Sequence, residues 1–184
     1  MKSNHLVSIT FEVHALTFDN ENHISSGFYD AELSVHGVEQ CRELGERYAQ
    51  DHFDAIFCSD LQRSYKTAEL AFGDKFPIIK DARLCECDYG DFTRHPAIEV
   101  EAERSKRIHT PFPNGESYEQ AVNRVKEFLA DLQRDYDGKR VMIIGHGATW
   151  RSLEHLVKGV PLEEALTVEH KWQSGWHYIL NDAP

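Results

Sequence analysis

The clearest fold signal lies in the segment Arg140-Val-Met-Ile-Ile-Gly-His-Gly147. Four apolar residues there lead into a histidine between two glycines. A short apolar run of this kind is typical of a buried strand, here residues 140–144. Glycines on both sides of His146 let the backbone approach a ligand closely. A helical pattern follows at 150–158, so the stretch predicts a strand that delivers His146 to the start of a helix.

Outward from this strand, strands and helices alternate along the chain. We predict further strands at Leu6–Val13, Ala55–Cys58 and Pro77–Ile79, and a last, edge strand at Trp176–Leu180. We predict helices from a Ser34 cap to Tyr48, from a Ser59 or Asp60 cap to Phe72, and from a Ser117–Gln120 capping box to a stop at Gly138. Alternation of this kind predicts a three-layer α/β/α sandwich around a mostly parallel sheet.

Two of these helices have an apolar stripe with helical spacing, which should face the sheet. The stripes are Val35, Val38, Cys41, Leu44 and Tyr48 in the first helix, and Val122, Val125, Phe128, Leu129 and Leu132 in the third.

The composition excludes several classes of protein. The chain has 184 residues, 31 acidic and 20 basic side chains, and a net charge of −11 with neutral histidines. The acidic balance argues against a nucleic-acid or anionic-membrane partner. No apolar run approaches the roughly 20 residues that a transmembrane helix needs. The four cysteines lack zinc-site spacing, so we expect free thiols in a soluble, cytoplasmic protein.

Polar residues directly follow the predicted strands. Parallel sheets bind their ligands at this edge, beyond the carboxyl ends of the strands. The first strand is followed by His14, the second by Arg63 in the first turn of its helix, and the late strand by His146. The segment 83–90 adds the carboxyl group of Glu86, whose cysteine neighbours make an apolar setting that favours a protonated acid. Imidazoles, a guanidinium and an acid at one sheet edge indicate phosphoryl transfer through histidine.

Five segments, in order, resemble the motifs of the histidine phosphatase superfamily, the phosphoglycerate-mutase-like proteins. The resemblance spans about residues 9–156. The matching segments are Val13-His14-Ala15 with Thr17 and Asn20, Ser59-x-Leu61-x-Arg63-Ser64 with Thr67-Ala68, Arg83-Leu84-x-Glu86-x-Asp88-Tyr89-Gly90, Pro113-x-Gly115-Glu116-Ser117, and Gly145-His146-Gly147.

The resemblance implies one phosphoglycerate-mutase-like domain over 1–184, with 91–116 as a short lid-like segment. It implies a metal-independent phosphatase that acts on a small phosphorylated molecule through a phosphohistidine, needs no cofactor, and is a monomer or homodimer. The site residues implied are His14 as nucleophile, Glu86 as acid, and His146 as a catalytic residue, with Arg63, Asn20 and Gly147 binding phosphate. A bell-shaped pH profile should result, with His14 deprotonated and Glu86 protonated.

The first motif departs from the family at a specific position. Val13 stands where the family has an arginine that grips the phosphate, and Ala15 replaces a glycine. Loss of one charge-assisted hydrogen bond should weaken phosphate binding by about 10- to 100-fold or more. Glu12 points the same way as His14 on an extended strand and would repel a phosphate. Either another cation, such as Arg151 or Arg94, supplies the charge, or the ligand differs.

Other interpretations of these residues stay open. The chain could keep the fold yet bind a ligand or partner without turnover. His14, His146, Glu12 and Glu86 could hold zinc, although the family needs no metal. Asn20 could cap a turn. The basic cluster Arg104, Lys106 and Arg107 is interpreted as a solvated helix face with a Glu103–Arg107 pair, with a lid over the pocket as the alternative. Trp172, Trp176 and Tyr178 are interpreted as packing residues.

Overall fold

The computed structural model describes residues 6–168 and 173–181. Within these ranges five strands form one sheet in the order β3-β2-β4-β1-β5. Strand β5 is antiparallel to β1, and every other neighbouring pair is parallel. The strands are β1 (Leu6–Val13), β2 (Ala55–Cys58), β3 (Ile78–Lys80), β4 (Arg140–Gly145) and β5 (Trp176–Asn181), and the helices are α1 (Phe18–Glu21), α2 (Val35–Arg47), α3 (Gln62–Phe72), α4 (Ala97–Glu103), α5 (Tyr118–Asp135), α6 (Gly147–Leu156) and α7 (Leu162–Thr167).

Alternate side chains of the sheet point into two separate apolar layers, because successive residues of a strand face opposite sides. On one face, Ile56 and Met142 pack with α2 and α3. On the other face, Phe57 and Ile143 pack with α5 and α6. The predicted three-layer α/β/α fold is therefore confirmed, with β5 at the predicted edge.

The local sequence signals place most elements within a few residues. The Ser117–Gln120 capping box starts α5, and the predicted apolar stripe of that helix is buried. Helix α6 starts at Gly147, three residues before the predicted Trp150, because Thr149 Oγ1 accepts a hydrogen bond from His146 N at 3.2 Å. The histidine therefore stands at the N-terminus of α6.

The predicted stripe of α2 is wrong in its first turn. Val35 and Val38 are 78% and 49% exposed, whereas Cys41, Leu44 and Tyr48 are buried as predicted. The inward position of the first turn belongs to Gly37, which lies against the Leu16 backbone so closely that a Cβ would overlap it. The backbone contact rotates the two valines toward solvent.

The predicted cap of α3 is also wrong. Neither Ser59 nor Asp60 caps the helix, which starts one residue after Leu61. Asp30 Oδ1 accepts a hydrogen bond from Gln62 N at 2.7 Å and so satisfies the first amide from a separate loop. Ser59 is thereby free to contact His146 instead.

The remaining packing predictions have mixed outcomes. Trp176 and Tyr178 are buried, and Trp172 lies outside the described residues. The four cysteines are buried and free. Among the helices in 6–168, none has both the length and the apolar character needed to cross a membrane.

Candidate active site

One cavity of about 760 Å³ opens where β1 and β2 end and α6 begins. The structure brings five of the six predicted site residues to its wall, and the sixth, His146, lies directly behind His14 with the ring centroids 5.0 Å apart. The five are His14, Asn20, Arg63, Glu86 and Gly147.

His14 is held in one tautomer. Its Nδ1–H donates to the Ala15 carbonyl at 2.7 Å, which leaves Nε2 as the nitrogen with a free lone pair. Burial, reinforced by the positive charge of Arg63, lowers the pKa of His14 to about 3. The ring is therefore neutral and able to act as a nucleophile at neutral pH.

His146 is fully buried between the sheet and α6 and does not reach the cavity wall. Its Nε2 shares a hydrogen bond of 2.7 Å with Ser59 Oγ, and its buried Nδ1 has no hydrogen-bond partner among the described residues. Burial, with Arg63 and His14 nearby, places the pKa of His146 well below its usual value. His146 is thus a neutral ring that packs behind His14.

Arg63 is 2% exposed and lies at the first turn of α3, as the sequence predicts. Its Nη1 donates to the Tyr29 carbonyl at 2.9 Å and its Nη2 to the Gly27 carbonyl at 2.7 Å. These neutral acceptors fix the guanidinium without neutralising its charge, so a positive potential persists beside both histidines.

Glu86 lies in a polar setting, which corrects the prediction of an apolar one. Its carboxylate accepts hydrogen bonds from Cys87 N at 2.8 Å, Gly147 N at 3.1 Å and Ala148 N at 3.2 Å. The reason is that α6 begins at Gly147, so its first free amides point at this side chain. Glu86 is thereby held at the cavity wall, and Gly147 N–H binds it directly.

Arg124 holds the loop that carries Glu86, a role that sequence reasoning missed. From α5, its guanidinium donates to the carbonyls of Arg83, Cys85 and Glu86 at 2.9, 3.2 and 3.1 Å and pairs with Glu116. An arginine that donates to three carbonyls of one loop fixes the path of that loop. The helical position of Arg124 alone carries no such signal.

Asn20 both lines the cavity and caps a turn. Its Oδ1 accepts hydrogen bonds from Thr17 N and Thr17 Oγ1 at 3.1 and 2.9 Å, within a capping box at the start of α1. The amide oxygen is therefore occupied by the turn, and the amide nitrogen is the group left to face a ligand.

Glu12 is not an unpaired negative charge beside His14. It is 3% exposed and accepts hydrogen bonds from Tyr48 Oη at 2.6 Å and Arg47 Nη1 at 3.1 Å. Burial raises the pKa of this carboxyl group. Val13 and Arg47 line the same side of the cavity, so the position of the family's arginine is bordered by a neutralised ion pair.

The two arginines predicted as substitute cations have different positions. Arg151 is 6% exposed and lines the cavity, with Nη1 donating to the Gly147 carbonyl at 3.2 Å. Arg94 pairs with Asp19 at 3.2 Å and stacks over Tyr29, away from the cavity wall. Only Arg151 of these two is placed to meet a ligand in the cavity.

Arg104 corrects the prediction that its basic cluster is a solvated face. It is half-buried and lines the cavity, while Lys106 and Arg107 pair with Glu103 at 2.8 and 2.7 Å. The predicted Glu103–Arg107 pair is thus confirmed, but Arg104 turns inward. The cluster follows α4 as a 3₁₀ turn over Arg104–Arg107, and Arg104 Nη1 donates to the Leu166 carbonyl at 3.4 Å, which holds this side chain inward.

The alternative metal set is not assembled in the part of the chain that the structure describes. No group of three or more His, Cys, Asp or Glu side chains in residues 6–168 and 173–181 is arranged to hold a metal ion. Glu12 is bound by Tyr48 and Arg47, and His146 Nε2 by Ser59.

Comparison with known proteins connects this geometry to a family. The chain is 30% identical over 147 residues to phosphoserine phosphatase 1 of Hydrogenobacter thermophilus, which covers 75% of this chain and 70% of the relative. The solved alpha-ribazole phosphatase of Shigella flexneri has a TM-score of 0.72 at 26% identity and covers 86% of this chain and 83% of its own. Phosphoglycerate mutase of Bacillus anthracis shares the fold, with a TM-score of 0.79 at 20% identity over 98% of this chain and 90% of its own.

The family match covers almost the whole described chain. Residues 12–178 match the histidine phosphatase superfamily (branch 1), and this range contains His14, Arg63, Glu86 and His146. The resemblance found in the sequence motifs is confirmed: the chain belongs to the histidine phosphatase superfamily and has its phosphoglycerate-mutase-like fold.

Proposed function

We propose that this chain hydrolyses a small phosphomonoester, without a metal, through a phosphohistidine on His14. The observation that carries the proposal is the hydrogen bond from His14 Nδ1–H to the Ala15 carbonyl, which leaves Nε2 as the nucleophilic nitrogen of a neutral ring. Family membership supports phosphatase chemistry in general. The identity of the nucleophile and the two-step route are the proposal.

In the first step, His14 Nε2 attacks phosphorus in line with the leaving oxygen. The N–P bond forms as the P–O bond breaks, and Glu86 in its protonated form gives its proton to the leaving alkoxide. Arg63 and Asn20 hold the phosphoryl oxygens, and His146 supports the His14 ring. In the second step, water attacks phosphorus, Glu86 takes its proton, and the N–P bond breaks to release inorganic phosphate.

We assign residues 91–116 as a lid over this site. Ala97, Glu101 and Arg104 contribute to the cavity wall. Beneath them, Val100 and Phe112 pack with Tyr89 and Tyr118 in a separate apolar cluster. The same cluster includes Ala148, Leu162 and Leu166, so the segment forms a wall of the cavity by packing on α6 and α7.

The direct test is hydrolysis of p-nitrophenyl phosphate in the presence of a chelator, combined with mass spectrometry of the protein quenched during turnover. We expect activity in the unmodified protein, a phosphoryl group on His14, and loss of both in His14→Ala. His36→Ala is the matched control, because His36 is an exposed histidine outside the cavity. Equal activity of His14→Ala and His36→Ala would overturn the proposal.

A second candidate, ligand binding without turnover, is favoured by the occupied donors of the site. The terminal nitrogens of Arg63 donate to carbonyls, Gly147 N–H donates to Glu86, and Val13 supplies no charge. Micromolar or tighter phosphate-ester binding by folded protein, with no product and no phosphohistidine, would support this candidate over the phosphatase.

A further inference from the structure

The arginines of this chain divide into two groups by their partners. All eleven lie within the described residues, and eight of them pair with a carboxylate. Among residues 6–168 and 173–181, no carboxylate pairs with Arg63, Arg104 or Arg151, and all three line the cavity described above. Since a largely buried charge that is not paired with a carboxylate is costly, these three arginines are candidates to bind negative groups of a ligand.

These three arginines lie in two places. Arg63 acts electrostatically on both His14 and His146, which defines the histidine end of the cavity as His14, His146 and Arg63. Arg151 instead interacts with Arg104, which defines the arginine end as Arg104 and Arg151. The two ends are therefore distinct sources of positive charge.

The arginine end has the features of an anion site. The Nε atoms of Arg104 and Arg151 are buried and have no hydrogen-bond partner in the described part of the chain. The remaining bonds of these guanidiniums go to neutral groups: Arg104 Nη1 donates to the Leu166 carbonyl at 3.4 Å and Arg151 Nη1 to the Gly147 carbonyl at 3.2 Å. Both guanidiniums border the cavity, and burial together with the charge of Arg104 lowers the pKa of Arg151, so an anion bound near them would be attracted by both.

Glu86 lies between the two ends. It attracts both Arg63 and Arg151, and its carboxylate is close to the Arg151 guanidinium, since both border the space beside Gly147. With the phosphoryl group at His14 and Glu86 beside the leaving oxygen, a leaving group that extends past Glu86 would approach Arg151. The arginine end therefore faces the part of the substrate that is not transferred.

We propose that Arg104 and Arg151 form a second anion subsite, so that the preferred substrates are phosphomonoesters whose leaving group carries its own carboxylate or phosphate. The inference rests on the proposed function, because it places the transferred phosphoryl group at His14. It also accounts for the loss of the motif arginine at Val13, because binding energy from the remote anion replaces the missing contact beside the nucleophile.

The test compares three substrates that share one scaffold: propyl phosphate, 2-carboxyethyl phosphate and propane-1,3-diyl bisphosphate. We expect kcat/KM for one or both of the charged substrates to exceed that for propyl phosphate by about 10- to 100-fold, the effect of one charge-assisted contact. The better of the two identifies whether the subsite takes a carboxylate or a phosphate. Equal kcat/KM for all three would overturn the subsite and leave the phosphatase proposal standing.

Two variants locate the effect. Arg104→Gln should reduce the preference ratio about 10-fold or more, mainly through KM, since the contact is remote from the reacting atoms. Arg107→Gln is the matched control, because it lies in the same 3₁₀ turn but pairs with Glu103 and does not line the cavity. The same loss of preference in both variants would show that the turn, and not the charge of Arg104, is responsible, and would overturn the proposal.

A binding experiment separates this proposal from catalysis. Calorimetry with 3-phosphonopropionate and propylphosphonate, which cannot be hydrolysed at the P–C bond, measures the preference without turnover. Tighter binding of 3-phosphonopropionate that is lost in Arg104→Gln, in a protein that hydrolyses no ester, would support the subsite while refuting the phosphatase proposal. The preference of the unmodified protein decides the question even if Arg104→Gln fails to fold.

Discussion

The histidine end and the arginine end of the cavity hold positive charge in opposite ways. At the histidine end the rings are neutral, Arg63 is fixed by two carbonyls, and Val13 carries no charge. At the arginine end two guanidiniums border the cavity, and neither pairs with a carboxylate in the part of the chain that the structure describes. Groups for bond making and charge for ligand binding can thus be separated within one cavity.

We expect the largest effect from a change at Glu86, because this residue lies between the two ends of the cavity. Glu86→Gln keeps the size of the side chain but cannot donate a carboxylic proton. We expect kcat for alkyl phosphates to fall by about 100- to 10,000-fold, the usual range for a general acid. The loss should be smaller for p-nitrophenyl phosphate, whose leaving group needs no proton. Steady-state kinetics on both substrates measures the difference.

Glu101→Gln is the control for that variant, since Glu101 is a second carboxylate of the cavity wall and comes from α4 rather than from the loop beside Gly147. Similar losses in Glu86→Gln and Glu101→Gln would mean that the cavity needs negative charge in general and not an acid at one place. The division into two ends with an acid between them would then fail.

We expect the next largest effect from Val13→Arg, which should make the two ends of the cavity more alike in positive charge. The new guanidinium would restore one charge-assisted contact beside His14, so we expect inorganic phosphate to inhibit about 10- to 100-fold more strongly. Val13→Met is the control for side-chain length without charge. If both variants bind phosphate equally, the histidine end does not lack a cation, and the buried Glu12–Arg47 pair beside it already sets its potential.

The parts of the fold that the sequence predicted are those fixed by local patterns. The strand Arg140–Gly145 and the capping box of α5 follow from apolar runs and hydrogen bonds within four residues. The errors occur where a distant segment decides. Gly37 packs on the Leu16 backbone and turns Val35 outward, and Asp30 caps α3 from another loop.

The site shows the same division. Motif order was sufficient to predict which residues meet at the cavity, including His14, Arg63 and Glu86. The polar setting of Glu86 was missed because it depends on where α6 begins. Arg104 was missed because a basic cluster gives no sign of which member turns inward, whereas the pairing of Lys106 and Arg107 with Glu103 is local.

The smallest expected effect is on the stability of the folded protein at acid pH, which should depend on the histidine end alone. Burial keeps His146 neutral in the folded protein, while its unfolded pKa is about 6.5. As the pH falls through that value, the unfolded chain takes up a proton that the folded chain does not, so folding is destabilised. At about pH 5 the loss is about 2 kcal/mol for this histidine, and His14 acts in the same direction.

Urea unfolding at about pH 8 and about pH 5 measures this loss, and the comparison between variants isolates it, because the raised pKa of Glu12 acts in the opposite direction. His146→Gln should reduce the pH dependence by about 2 kcal/mol. His36→Gln, at an exposed histidine, should leave it unchanged, and so should Arg104→Gln, since a guanidinium stays charged over this range. An unchanged pH dependence in His146→Gln would show that the buried ring takes up its proton in the folded state. The histidine end would then carry positive charge in mild acid, and its contrast with the arginine end would hold only at neutral pH.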